Sequence, residues 1–256
     1  MRYFYFGKPL DVNWTLTFCG LAGFGGILMT NKTRRLTESA MLLAVAIVLE
    51  LVSKSIIPEM PFGGQLTIVC MLPVVLISYR HGVKWGFVAA FTYSLIQMAL
   101  GAGTVTAAFQ PGYFGDGAMI GYALIMCFLD YVAAYTLLGL GGIFRGRFSG
   151  NAVEPARREG KDGLELCLGS LVALGARYAC HVLSGYILFS GWAEWFFTQD
   201  GFPAWGASLV ESLSPNMLGF VYSLVYNGMY MVPEMILTAI AAVLVARVPK
   251  IVEKVS

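Results

Sequence analysis

Hydrophobic residues fall in long runs broken by short polar stretches. The runs near residues 37–53, 64–79, 83–102, 117–143, 163–190 and 216–248 read as six membrane-crossing helices. The last is long for a hydrocarbon core of about 30 Å and contains Pro233, which predicts a kink or an interfacial turn. An earlier run over 13–29 is at the short limit for a span. Its basic flank is thin (Arg2, Lys8) and it lacks a clear cleavage site, so a cleaved signal peptide is not expected. It either adds a hydrophobic helix or precedes a true start at Met29. The predicted fold class is an all-α, polytopic membrane protein: a six-helix bundle over 35–256, with residues 1–34 as an N-terminal extension.

The charges between runs sort by side. Lys32, Arg34 and Arg35 precede the first run, and Arg80 and Lys84 separate the second from the third. Arg145, Arg147, Arg157, Arg158 and Lys161 separate the fourth from the fifth, and Arg247, Lys250 and Lys254 follow the last. The opposite connections hold Lys54 with Glu59, Asp116, Glu194, Asp200 and Glu211. By the positive-inside rule, both ends of the six-helix unit are cytoplasmic, in a multi-pass protein of the cell membrane. The connection around Ser149–Asp162 reads as a charged loop and nothing more. Two opposite connections are unusual: 102–116 is rich in glycine and aromatics, and 190–215 holds Trp192, Trp195, Phe196, Phe197 and Trp205. They are either an aromatic belt at the interface or a rim over an outward-facing pocket.

Composition agrees with a bilayer protein. The chain is 57% hydrophobic and 12% charged, half the roughly 25% charged residues of soluble domains. Seventeen Lys and Arg against fifteen Asp and Glu leave no basic surplus for nucleic acid. Cys19, Cys70, Cys127, Cys167 and Cys180 are scattered singly, which indicates neither a disulfide framework nor a zinc site. No GxxxxGK[ST], HExxH or GxSxG occurs, so no P-loop, metal, cofactor or enzymatic activity is expected, and ATP-driven transport would need other subunits.

Polar residues inside the runs carry the functional signal, because a charge at mid-membrane costs about 2.5–3.5 kcal/mol on insertion scales. Arg177, His181, Gly185 and Phe189 recur every four residues and form one helical stripe rising about 18 Å. Asp130 sits mid-run beside Tyr131, with Tyr135 one turn on. Tyr222, Tyr226, Tyr230 and Glu234 recur at the same spacing around Asn227. These groups could satisfy one another as a structural network, or Arg177 and His181 could snorkel to the surface. The richer reading is a site for a small, flat, nitrogen-containing cation, with Arg177 offsetting part of the cost of burying Asp130. Glu50 reads as peripheral, while Glu234 either lines the site or bonds within the bundle. Tyr222 and Asn227 lie about 140° apart on a regular helix. To share a ligand they need an irregular helix start near Tyr222 or a pocket that wraps the helix.

Four dispersed blocks, PFGGQLTIVCMLPVVLISYRHG, LDYVAAY with LGLGGIF, RYACHVLSG and YSLVYNGMYMVP, add a more specific signal. Through them the chain, over about 35–256, resembles the thiamine-specific substrate-binding (S) components of energy-coupling factor (ECF) transporters. The resemblance implies a six-helix membrane protein that captures thiamine outside and associates with a transmembrane coupling subunit and two ATPase subunits. It places substrate contacts on Asp130 and Tyr131, on the stripe Arg177, His181, Gly185 and Phe189, and on Tyr222 and Asn227. Some members have Glu, Lys and Trp where this chain has Asp130, Arg177 and Phe189. A tryptophan that some carry before the second span is missing here; Gly64 stands about there, with Phe62 nearby. Small residues on the first helix, Ala40 and Ala44, match the family's docking pattern. A related vitamin or precursor, such as a hydroxymethylpyrimidine, is the alternative substrate.

Overall fold

A computed structural model describes residues 31–60, 64–114, 119–148 and 155–254, and they are helical throughout their ordered elements. The run over 13–29, Phe62 and Asp116 lie outside the described residues. Helix α1 spans Asn31–Ile56, α2 Leu72–His81 and α3 Val83–Leu100. Helix α4 is composite: it opens as α-helix (Met119–Met126), widens to a π-helix (Cys127–Ala133), returns to α over Ala134–Thr136 and tightens to 3-10 over Leu137–Gly142. Helix α5 covers Pro155–Phe189 and α6 Pro215–Val245. Short helices at Ala102–Ala108, Ala193–Thr198 and Trp205–Ser212 cap the end opposite the basic residues.

Five helices, not six, are long and apolar enough to cross a membrane among the described residues. The second predicted span is the exception. Only its latter part is helical, beginning where Pro73 supplies a preset φ in the first turn, and every residue of α2 is buried. Residues 65–71 before it are irregular, with Val69 at φ 60°. Non-helical backbone at membrane depth is tolerated only inside protein or beside a polar cavity. Here Gln65 and Thr67 border a cavity.

Helix α6 continues unbroken through Pro233, so the predicted interfacial turn does not form there; the helix ends at Val245. Its 31 residues span about 46 Å, more than one hydrocarbon thickness. At the LGLGG segment of α4, helices α2, α3 and α5 all pack close. A Cβ on Gly169 of α5 would stand 2.0 Å from the Gly141 carbonyl oxygen, and one on Gly139 2.7 Å from the Phe87 nitrogen of α3. Close helix approach, rather than any phosphate cradle, explains these glycines.

At the basic end the chain termini of the bundle are tied together. Arg80 Nη2 pairs with Glu38 at 2.8 Å, and Arg80 Nη1 donates to the Lys250 carbonyl at 2.8 Å. Lys254 reaches Asp162 at 2.9 Å and Glu165 at 3.0 Å, and Tyr79 donates to both carboxylates. The charged stretch ending at Asp162 is therefore not merely a loop. Helix α5 begins at Pro155, and Asp162 is a buried crosslink between α5, α2 and the C-terminal segment.

Candidate functional site

A cavity of about 160 Å³ opens between α1, α3, α4, α5 and α6, towards the aromatic end. Asp130, Tyr131, Arg177, His181, Gly185, Phe189, Tyr222 and Asn227 all line it. The four α5 residues do so because a four-residue period keeps them on one helix face. Asp130 and Tyr131 lie in the π segment of α4. A π turn carries one extra residue, which re-aims the side chains after it, and such turns recur at functional sites.

Asp130 is held by two side chains of α5. Its Oδ1 lies 2.9 Å from His181 Nδ1, and its Oδ2 accepts from Ser184 Oγ at 2.6 Å. The His181 Nε2 is buried without a hydrogen-bond partner among the described residues. Asn227 donates to the Ser223 carbonyl at 2.9 Å and to the His181 carbonyl at 3.2 Å, and accepts from Tyr230 Oη at 2.7 Å. A Cβ on Gly185 would stand 2.4 Å from Ser223 Oγ and 3.0 Å from Asn227 Nδ2, so glycine lets α5 and α6 close on each other here.

Two sequence expectations are corrected, for Arg177 and Glu50, and the open alternative for Glu234 is resolved. Arg177 does not offset Asp130: its Nη1 pairs with Glu234 at 3.1 Å, and its guanidinium stands 4.6 Å from the centroid of the Tyr135 ring. Glu234 bonds within the bundle, accepting also from Thr67 Oγ1 at 2.6 Å. Glu50 is not peripheral. It is 2% exposed, lines the cavity, pairs with Lys54 at 2.8 Å and accepts from Tyr93 and Gln97. A carboxylate two turns from the polar end of α1 carried no sequence signal of burial; Gln97, a polar residue in the last turn of the apolar α3, was the available clue.

Tyr222 and Asn227 both reach the cavity from a continuous helix, so the pocket wraps α6. Gly64 is packed against the Tyr230 ring, where a Cβ would come within 2.6 Å, and its φ of 86° suits glycine. The aromatic connections cover the cavity end. Phe196 packs edge-on against Tyr222 and Tyr226 at 5.2 and 5.8 Å, and Phe114 lies 5.5 Å from Phe189. Trp192, Trp195 and Trp205 face outward, between 41 and 48% exposed. The connection therefore divides its aromatics: phenylalanines form the rim, and tryptophans take the position of an interfacial belt.

Two of the described carboxylates in and behind the cavity are paired with a lysine or arginine. Glu50 has Lys54 and Glu234 has Arg177, while Glu59 is an exposed rim residue. Asp130 alone is a partly buried carboxylate facing the cavity without a lysine or arginine within ion-pair distance.

Residues 36–253 match the family model described as thiamine transporter protein (Thia_YuaJ). The chain belongs to this family. A relative, the thiamine transporter ThiT of Bacillus subtilis (strain 168), is 32% identical over 208 residues, covering 80% of this chain and 86% of that protein. A solved structure of ThiT from Listeria monocytogenes matches with a TM-score of 0.57 at 19% identity, covering 88% of this chain and all of that one. That likeness shows the shared fold. The thiamine transporter family is thus the same one the four sequence blocks resemble, and its helical membrane architecture is the one seen here. As a member of that family the chain is a multi-pass transport protein.

Proposed function

We propose that the cavity binds thiamine from outside the cell, and that the chain is the substrate-binding component of an ECF-type importer. On this reading a transmembrane coupling subunit and two ATPase subunits supply the ATP-driven step, and the chain itself catalyses no reaction. The lysine and arginine asymmetry supports cytoplasmic ends for the six-helix unit, which points the aromatic rim and cavity outward. The observation that carries the reading is Asp130, a partly buried carboxylate that faces the cavity with no lysine or arginine on it. Thiamine has a permanent cationic ring beside a flat aminopyrimidine. Asp130 is suited to the charge, His181 and Asn227 to ring-edge nitrogens, and Tyr222, Tyr226 and Phe189 to the ring faces.

Titration calorimetry on the purified chain is the direct test. The expected result is one thiamine per chain, with hydroxymethylpyrimidine bound far more weakly. Heat from hydroxymethylpyrimidine alone would transfer the site to the precursor and end the thiamine assignment. Calorimetry is preferable to tryptophan quenching, because no described tryptophan lines the cavity.

Docking to the coupling subunit is assigned to α1. Ala40 and Ala44 are exposed on a face that also presents Met41, Val48 and Leu51, and no other helix covers it among the described residues. Small residues spaced by four allow close helix approach. The double variant Ala40→Trp, Ala44→Trp is expected to bind thiamine normally and to lose uptake in cells. Uptake at the unmodified rate would remove the docking role.

A further inference from the structure

A second recess, of about 450 Å³, lies at the basic end, where α3 begins beside α1 and the end of α2. Arg35, His81, Lys84, Trp85 and Val88 line it. It is remote in character from the aromatic-end cavity, sharing none of its lining residues.

Several independent features make it attractive to an anion. The first turn of the 18-residue α3 opens into it, and no side chain caps that turn's N–H groups. The start follows Gly82 at φ 91°, which lets α2 stop and α3 begin at once. His81 is only 5% exposed, yet its Nδ1 has no hydrogen-bond partner among the described residues. Its Nε2 stands 3.3 Å from Glu38 without forming a hydrogen bond. The Arg35 Nε is likewise buried and unpartnered, with its guanidinium 5.7 Å from the centroid of the Trp85 ring. Buried polar atoms left unpaired in this way are uncommon and costly.

The charge balance around the recess is positive. Arg35 and Lys84 line it, and Lys32, Arg34, Arg80 and Arg145 lie on the segments packed around it. The carboxylate of Glu38 is already engaged by Arg34 and Arg80, each at 2.8 Å. Burial pushes the His81 ring down to about 4, so at neutral pH it offers an N–H donor without a charge. Trp85 donates to Ser39 of α1 at 2.8 Å and forms a fixed back wall.

What lies beneath the recess identifies the ligand class. Val88, Phe91 and Leu95 are 57, 45 and 44% exposed and continue down the same face of α3 as Lys84. That stripe is suited to acyl chains, directly below the cationic recess. We propose that this recess binds an anionic phospholipid, with Arg35, Lys84, His81 and the α3 N-terminus on the headgroup phosphate and the acyl chains along Val88, Phe91 and Leu95. Basic pockets at helix ends on the inner surface are suited to such headgroups.

Delipidated protein in neutral detergent provides the test, by native mass spectrometry and thermal unfolding with added phosphatidylglycerol, phosphatidylcholine or inorganic phosphate. Phosphatidylglycerol is expected to be retained and to raise the unfolding midpoint, with the other two additives weaker. The double variant Arg35→Gln, Lys84→Gln should reduce phosphatidylglycerol retention about tenfold or more, since each surface cation contributes on the order of a fivefold change. Lys84→Gln alone should show a smaller loss. The lipid-free unfolding midpoint serves as the control for folding and is expected to stay unchanged in Lys84→Gln. Equal retention of phosphatidylcholine, or undiminished phosphatidylglycerol retention by the folded variants, would overturn the proposal. Stabilisation by inorganic phosphate alone, equal to that by lipid, would reassign the recess to a soluble anion and overturn it as well.

Discussion

Asp130→Asn is expected to weaken thiamine binding by about 2–4 kcal/mol, roughly 30- to 1000-fold, with the fold intact. The substitution keeps the side chain's shape and its Ser184 contact while removing the charge. Asp130 stands out because Glu50 and Glu234 are each offset by a cation within 3.1 Å, whereas its own partners are His181 and Ser184. Its side chain retains 21% exposure, so the carboxylate is accessible from the cavity but shielded enough for a charge contact to count. A cationic ligand would complete the pairing that the other two carboxylates find within the protein. The control is the neutral thiophene isostere of thiamine, measured by calorimetry on both proteins. The isostere should bind weakly to the native chain and lose little more on Asp130→Asn. An equal loss for both ligands would mean that Asp130 serves the pyrimidine end or the fold, and not the cation.

Removing Glu234 should act on stability. Glu234 is fully buried, accepts from Thr67, and pairs with Arg177, whose side chain is 5% exposed. In Glu234→Ala the guanidinium keeps only its contact with Tyr135, at 3.2 Å from the hydroxyl and against the ring face. A buried charge stripped of its partner costs about 3–5 kcal/mol. The expected result is a large fall in the unfolding midpoint in detergent. Replacing both members, Arg177→Met with Glu234→Met, should recover much of that loss, because two apolar side chains leave no orphaned charge. An unchanged midpoint in Glu234→Ala would show that water or lipid satisfies Arg177 and that the pair does not support the bundle. The double variant also separates Arg177's two possible contributions. If it is stable yet binds thiamine weakly, the guanidinium itself touches the ligand.

Much of the architecture was legible before any coordinates. Long apolar runs can only become helices in a bilayer, since no water is there to satisfy a bare backbone. The helices α1, α3, α4, α5 and α6 follow from that alone. The stripe from Arg177 to Phe189 was readable for a similarly local reason: a regular helix converts a spacing of four into a shared face. Asp130, Tyr222 and Asn227 were visible because polar groups inside apolar runs are rare.

The failures share a cause. The second run has the composition of a span, but composition cannot distinguish lipid from protein as its surroundings. Helix α2 is hydrophobic because it is buried all round, and residues 65–71 depart from helix because they border a cavity. The π turn at Cys127–Ala133 leaves no mark on hydrophobic periodicity over so short a stretch. Pairings between helices were also out of reach. Arg177 to Glu234, Glu50 to Tyr93 and Gln97, and Asp130 to His181 depend on helix rotation and height, which the bundle's packing sets. By itself, then, the sequence determined the spanning segments, the sidedness of charge and the roster of polar groups, since these depend on short-range physics and on transfer from water to lipid. Tertiary structure alone decided that Arg177 went to Glu234 and that Asp130 met His181 and Ser184 instead, because those contacts join residues more than fifty positions apart.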